Sequence, residues 1–132
     1  MDQSTLVTEE IDAGADLVNR FDPYLPVKVA FWLRPTDESH WSLYIASDRI
    51  DDTNLDLGYA EVLRLAGEMR SPYLDPFQVK LIPADDPLAR AVLDVHQRYP
   101  GRIPIRYNGP SLGGLSIDGA YLYPLPIAVP AK

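Results

Sequence analysis

Two neighbouring segments of strict period two constrain the fold of this chain most. In residues 27–34, Val27, Val29, Phe31 and Leu33 alternate with Lys28, Ala30, Trp32 and Arg34. After the turn-forming cluster Pro35-Thr36-Asp37-Glu38-Ser39, residues 40–47 alternate again, with Trp41, Leu43 and Ile45 set against Ser42, Tyr44 and Ala46. Side chains alternate between the two faces of a strand, so this pattern predicts a β-hairpin. Its covered face is expected to hold Val29, Phe31, Leu33, Trp41, Leu43 and Ile45. The other face would hold Lys28, Trp32, Arg34 and Tyr44, which puts Trp41 inside and Trp32 outside.

Helical spacing accounts for much of the rest. Thr8-Glu9-Glu10 reads as a helix start, and Ile11, Ala15, Val18 and Phe21 recur at helical intervals until Pro23. Leu55, Tyr59, Val62, Leu63, Ala66 and Met69 form a second stripe, ended by Ser71-Pro72. Asp86 followed by Pro87 has the form of an N-cap with proline in the first turn, and Leu88, Val92, Val95 and Tyr99 continue that helix. Strands are expected at Phe77 to Ile82, around Ile103, Ile105 and Tyr107, and at Leu115 to Tyr123. The glycines between the last two read as a turn, and residues 124–132 as an extended, proline-rich tail. The thirteen prolines are about twice the usual share and fall mostly where elements end.

The resulting order is α-β-β-α-β-α-β-β. It predicts a single α+β domain: a two-layer sandwich with a mixed, mainly antiparallel five-stranded sheet and about three helices. A length of 132 residues fits one domain with a proper core. The absence of cysteine excludes disulfides, thiolate metal sites and thiol nucleophiles. No apolar run approaches the roughly 18 residues of a membrane span, and Met1-Asp2-Gln3 lacks the pattern of a secretory leader, so a cytoplasmic location is expected.

Charge is unevenly distributed. The net charge of −7 argues against a general nucleic-acid or anionic-membrane binder. Residues 1–66 carry thirteen acids and five bases, whereas residues 67–132 carry six acids and seven bases. Between Asp94 and Asp118 there is no acid, while Arg98, Arg102 and Arg106 lie inside that interval. A chain acidic overall can thus present a locally positive surface.

Several motifs invite chemistry and fail on detail. Asp52, Asn54 and Asp56 match the first ligand positions of a calcium loop, but Leu57 stands where glycine is needed and Leu63 where the bidentate glutamate belongs. The cluster is better read as a solvated loop with helix-capping residues. His40 and His96 are the only histidines, too few for a His-rich zinc site, and no nucleophile elbow accompanies them. Gln78-Val79-Lys80 after Asp75 resembles the strand triplet of a metal-dependent nuclease only loosely, because glutamine is a weak metal ligand. Gly109, Gly113 and Gly114 lead into a strand, so they do not form a phosphate loop.

The remaining constellation is a basic and aromatic sheet face. On the strand assignments above, Trp32, Arg34, Tyr44, Lys80, Arg102 and Arg106 would share one uncovered face, suited to stacking and anion recognition. The expected function is therefore a non-enzymatic binding or accessory module without a cofactor, holding an acidic protein partner or a second copy. The alternative is a small divalent-metal-dependent hydrolase or nuclease using Asp51, Asp52 or Asp56.

Overall fold

The computed structural model describes residues 6–38, 40–99, 103–107 and 109–124. The chain runs α1 (Thr8–Phe21), β1 (Val29–Pro35), β2 (Ser42–Ser47), α2 (Leu55–Met69), β3 (Val79–Pro83), α3 (Pro87–Arg98), β4 (Ile105–Tyr107), β5 (Ser111–Leu112) and β6 (Leu115–Leu122). The α+β class and the order of elements follow the sequence reading, with one strand added. Residues 125–132 of the expected tail lie outside the described residues.

Local chemistry sets the helix ends. The Glu10 carboxylate accepts from the Val7 backbone N–H at 3.1 Å, satisfying a donor at the start of α1. Asp86 Oδ1 accepts from the Leu88 N–H at 2.9 Å, and Pro87 occupies the first turn of α3. At the end of α2, Arg70 turns left-handed at φ 53°, so the helix stops before Pro72. The added strand comes from Gly113 and Gly114, whose φ values of 58° and 84° make a two-residue primed turn. That turn pairs Leu112 with Leu115, so the glycine-rich segment is a tight hairpin.

The sheet order is β3-β2-β1-β6-β4, with β5 pairing β6 beyond β4. Only β2 and β3 run parallel; the other pairs are antiparallel. Helices α1 and α2 pack on Ala30, Trp32, Leu43, Ile45, Leu81 and Tyr121. The chain must then pass from the β3 edge to the β4 edge. It does so through α3, whose Ala89 and Val92 pack on the opposite side with Val29, Phe31, Leu33 and Leu122. Every residue from Val29 to Leu33 is consequently buried. Each large apolar side chain buried there contributes about 1.5–3 kcal/mol.

The hairpin register differs from the sequence expectation by one residue. Phe31 pairs with Tyr44 and Trp32 with Leu43. Trp32 therefore shares a face with Leu43, and Tyr44 shares the other with Phe31. The two strands are apolar on both sides, so alternation alone does not say which set faces which helix, and the turn decides.

The β3 edge offers no free N–H at its outward positions. In a parallel ladder alternate residues turn toward the neighbour, which leaves Val79, Leu81 and Pro83 turned outward. The Val79 N–H is held by the Pro76 carbonyl, in a 3-10 turn at Pro76–Gln78. The Leu81 N–H donates to the Tyr59 hydroxyl of α2 at 3.0 Å. Pro83 has no N–H to offer.

Candidate functional site

The basic and aromatic residues expected to share one face are divided by the fold. Trp32 lies under α1, 2% exposed, and its Nε1 donates to the Tyr123 hydroxyl at 2.9 Å. That hydroxyl in turn donates to the Ile11 carbonyl of α1. Trp32 is a core residue and cannot stack on a partner. Arg34 lies near the end of β1 on the same side as Trp32, 3.7 Å from the Asp118 carboxylate. Arg106 also lies on that side, its guanidinium 5.2 Å from the centre of the Tyr121 ring. Tyr44 and Lys80 occupy the opposite face: Tyr44 stacks on Phe31 with ring centres 5.3 Å apart, and Lys80 Nζ sits 5.5 Å over the Tyr44 ring. Lys80 is further held by Glu38 at 3.7 Å. Arg102 lies outside the described residues. The shared face was thus an artefact of the one-residue register.

Burial explains the tyrosine acidities. It pushes Tyr44 and Tyr121 up, with Lys80 and Arg106 respectively pulling back down. Tyr123 is pushed furthest by burial, so all three hydroxyls stay protonated and act as hydrogen-bonding or stacking groups.

The acidic loop is ordered by its own side chains. Asp51 Oδ1 accepts from the Thr53 N–H at 2.8 Å and from its hydroxyl, and these bonds hold the carboxyl below its ordinary range. Asn54 Oδ1 accepts from the Asp51 N–H at 2.9 Å, while Nδ2 donates to the Arg49 carbonyl at 2.6 Å. Asn54 thereby closes the loop and makes no side-chain cap bond to α2. Asp48, Asp51, Asp52 and Asp85 line an open depression of about 420 Å³, which Asp56 does not join. Among the described residues, no group of three or more His, Asp or Glu is arranged to hold a metal ion. Nor does the nuclease-like triplet form: Gln78 closes the 3-10 turn, and Asp75 Oδ1 accepts from the Phe77 N–H at 2.9 Å as its cap.

The histidines stand apart from that depression. His40 lies 3.8 Å from Glu38, and His96 bonds to the Tyr123 backbone. Among the described residues the His96 Nε2 is buried without a partner, and burial pushes the imidazole below its ordinary value of 6.5 against the raising effect of the Tyr123 backbone. Below 6.5 the unfolded chain takes up a proton before the native one does, so stability is complete above that pH and declines as pH falls through the folded value. Urea midpoints measured from about pH 7.5 to about pH 5 should fall less steeply for His96→Gln than for the wild type. Identical slopes would show that His96 is not the responsible group.

A groove not foreseen from sequence lies between the C-terminal half of α3 and the β4–β5 edge. Its volume is about 650 Å³, and Ala91, Val95, Tyr99, Ile105, Tyr107 and Leu112 are among the residues lining it. Arg98 and Arg106 border it, Arg98 being held by Asp94 at 3.2 Å. The groove exists because α3 carries the chain across the sheet and sets its last turn beside the last strand. Tyr99 is 67% exposed at its end. No family model, curated protein or solved structure matches this chain. The legible signal was the interval from Asp94 to Asp118 without an acid, which supplies most of the lining.

Among the described residues, no helix is long and apolar enough to cross a membrane.

Proposed function

We propose that this chain is a cytoplasmic, non-catalytic binding module that holds an acidic protein partner in the groove between α3 and β4. The observation that supports this reading is an apolar groove at the β4 edge, with Arg98 paired to Asp94 on its rim and the Arg106 guanidinium on the other face of that edge, in an interval of sequence without an acid between Asp94 and Asp118. The chain as a whole carries a net charge of −7, so an acidic partner is repelled by most of the molecule and steered toward this one edge. Apolar contacts supply area and the arginines supply selection.

Selection of random peptides on the immobilised protein tests the reading. Enrichment of peptides rich in Asp and Glu is expected, with binding lost on Arg106→Glu. Binding should also weaken steeply with salt, because the Debye length falls from about 10 Å at 0.1 M to about 3 Å at 1 M. Arg106 is on an edge strand, so its reversal should barely move the melting curve. Selected peptides with no acidic bias, or equal binding by Arg106→Glu, would remove the reading.

A further inference from the structure

The two edges of the sheet are not equivalent. At β3 each outward position has its N–H engaged or lacks one, through Pro76, Tyr59 and Pro83. At β4 the backbone has the opposite character. The Tyr123 N–H is given to Ala30 of β1, so the next residue back, Leu122, turns toward β4, where it pairs with Ile105. By alternation, Ile105 and Tyr107 turn their backbone groups toward β6, and Arg106 turns its N–H and C=O away from it. Among the described residues β4 is the last in the sheet order, and none of them pairs with its outer side, so Arg106 offers a donor and an acceptor side by side at that edge.

Side chains alternate in the same way. Ile105 and Tyr107 pack on the α3 side, while Arg106 lies on the other side over Tyr121. A chain extended along this edge would thus meet an apolar trough on one face and a cation on the other. We propose that the partner binds by strand addition: an extended segment of alternating apolar and acidic residues pairs with β4, its acid opposite Arg106 and its apolar residues against α3. This rests on the acidic-partner reading above and names the form of that partner. A main chain bonded to a sheet edge supplies affinity, and alternate side chains supply specificity.

Charge decides between this occupant and a second copy. Two β4 edges paired about Arg106 would place two guanidinium groups directly opposite on one face, which like charges oppose. A carboxylate at that position is attracted instead, and the apolar neighbours it brings enter the trough lined by Val95, Ile105 and Tyr107.

The probe is a capped octapeptide of alternating valine and glutamate, with two variants N-methylated either at every glutamate or at every valine. Only one of these alternate sets turns its N–H toward β4. In antiparallel pairing, the slightly more stable arrangement, it is the glutamate set. Fluorescence titration with the full chain should show the parent peptide binding. One methylated set should bind about tenfold more weakly, since the peptide N–H that the Arg106 carbonyl would accept from is gone and the methyl group crowds the edge, while the other binds as the parent does. The Arg106 amide should also exchange more slowly with deuterium in the complex. Equal binding by both methylated sets, or equal loss, would overturn strand addition and leave the acidic docking reading intact. Failure of the octapeptide to bind, while acidic peptides from the selection do, would overturn strand addition as well. If neither binds, both readings fall.

Discussion

Trp32→Ala should lower the free energy of unfolding by about 3–5 kcal/mol, a large-to-small change at a site that cannot collapse around the loss. Its ring is enclosed between β1 and α1, and Nε1 is one of two partners of the Tyr123 hydroxyl. Trp32→Phe separates the contributions. It retains most of the packing and removes the hydrogen bond, for an expected cost of about 1–2 kcal/mol including the smaller ring. Trp41 is only half-buried at the margin of the same cluster, so Trp41→Ala should cost less than Trp32→Ala. This ranking is the reverse of the one the sequence suggested. Denaturant titration of the three variants measures it, and a larger loss for Trp41→Ala would restore the original register.

Gly14→Ala should destabilise the protein by about 1–3 kcal/mol, as overpacking does. This runs against intrinsic preference, because alanine is favoured over glycine inside a helix by about 1 kcal/mol. The reason is proximity. A Cβ at Gly14 would stand 2.5 Å from the Tyr123 hydroxyl and 3.0 Å from the Trp32 ring, so α1 would have to move away from the bond that ties β1 to β6. Gly67 in α2 provides the contrast, since a Cβ there meets nothing within 4 Å. Gly67→Ala should raise stability by up to about 1 kcal/mol, the propensity effect alone. Opposite signs for the two substitutions in one set of thermal melts are the expected result. If both stabilise, the approach of α1 to Trp32 is looser than described.

The contrast between these sites and the helix boundaries shows what the chain makes legible. The span from Leu55 to Met69 and the Asp86-Pro87 start of α3 follow from local chemistry, spacing and caps, and both were readable. The register of β1 against β2 was not, because Phe31 and Trp32 are equally apolar and each needs a covered face. With the register went the candidate site: Trp32 passed into the core, and Tyr44 and Lys80 parted from Arg34 and Arg106. The groove was half visible. An interval without acids marks a basic stretch, but Val95 and Ile105 line one trough only because α3 recrosses the sheet, and no local pattern encodes that.

The hydroxyl of Tyr59 at the Leu81 amide has a consequence for assembly. A sheet with two free edges can lengthen without limit, since each added strand presents a new edge for the next molecule. Here one side of the molecule is terminated by an aromatic stopper and a proline. Whatever strand is gained at the other side, the β3 edge then presents no free N–H at its outward positions to the next molecule, which disfavours growth into a fibre.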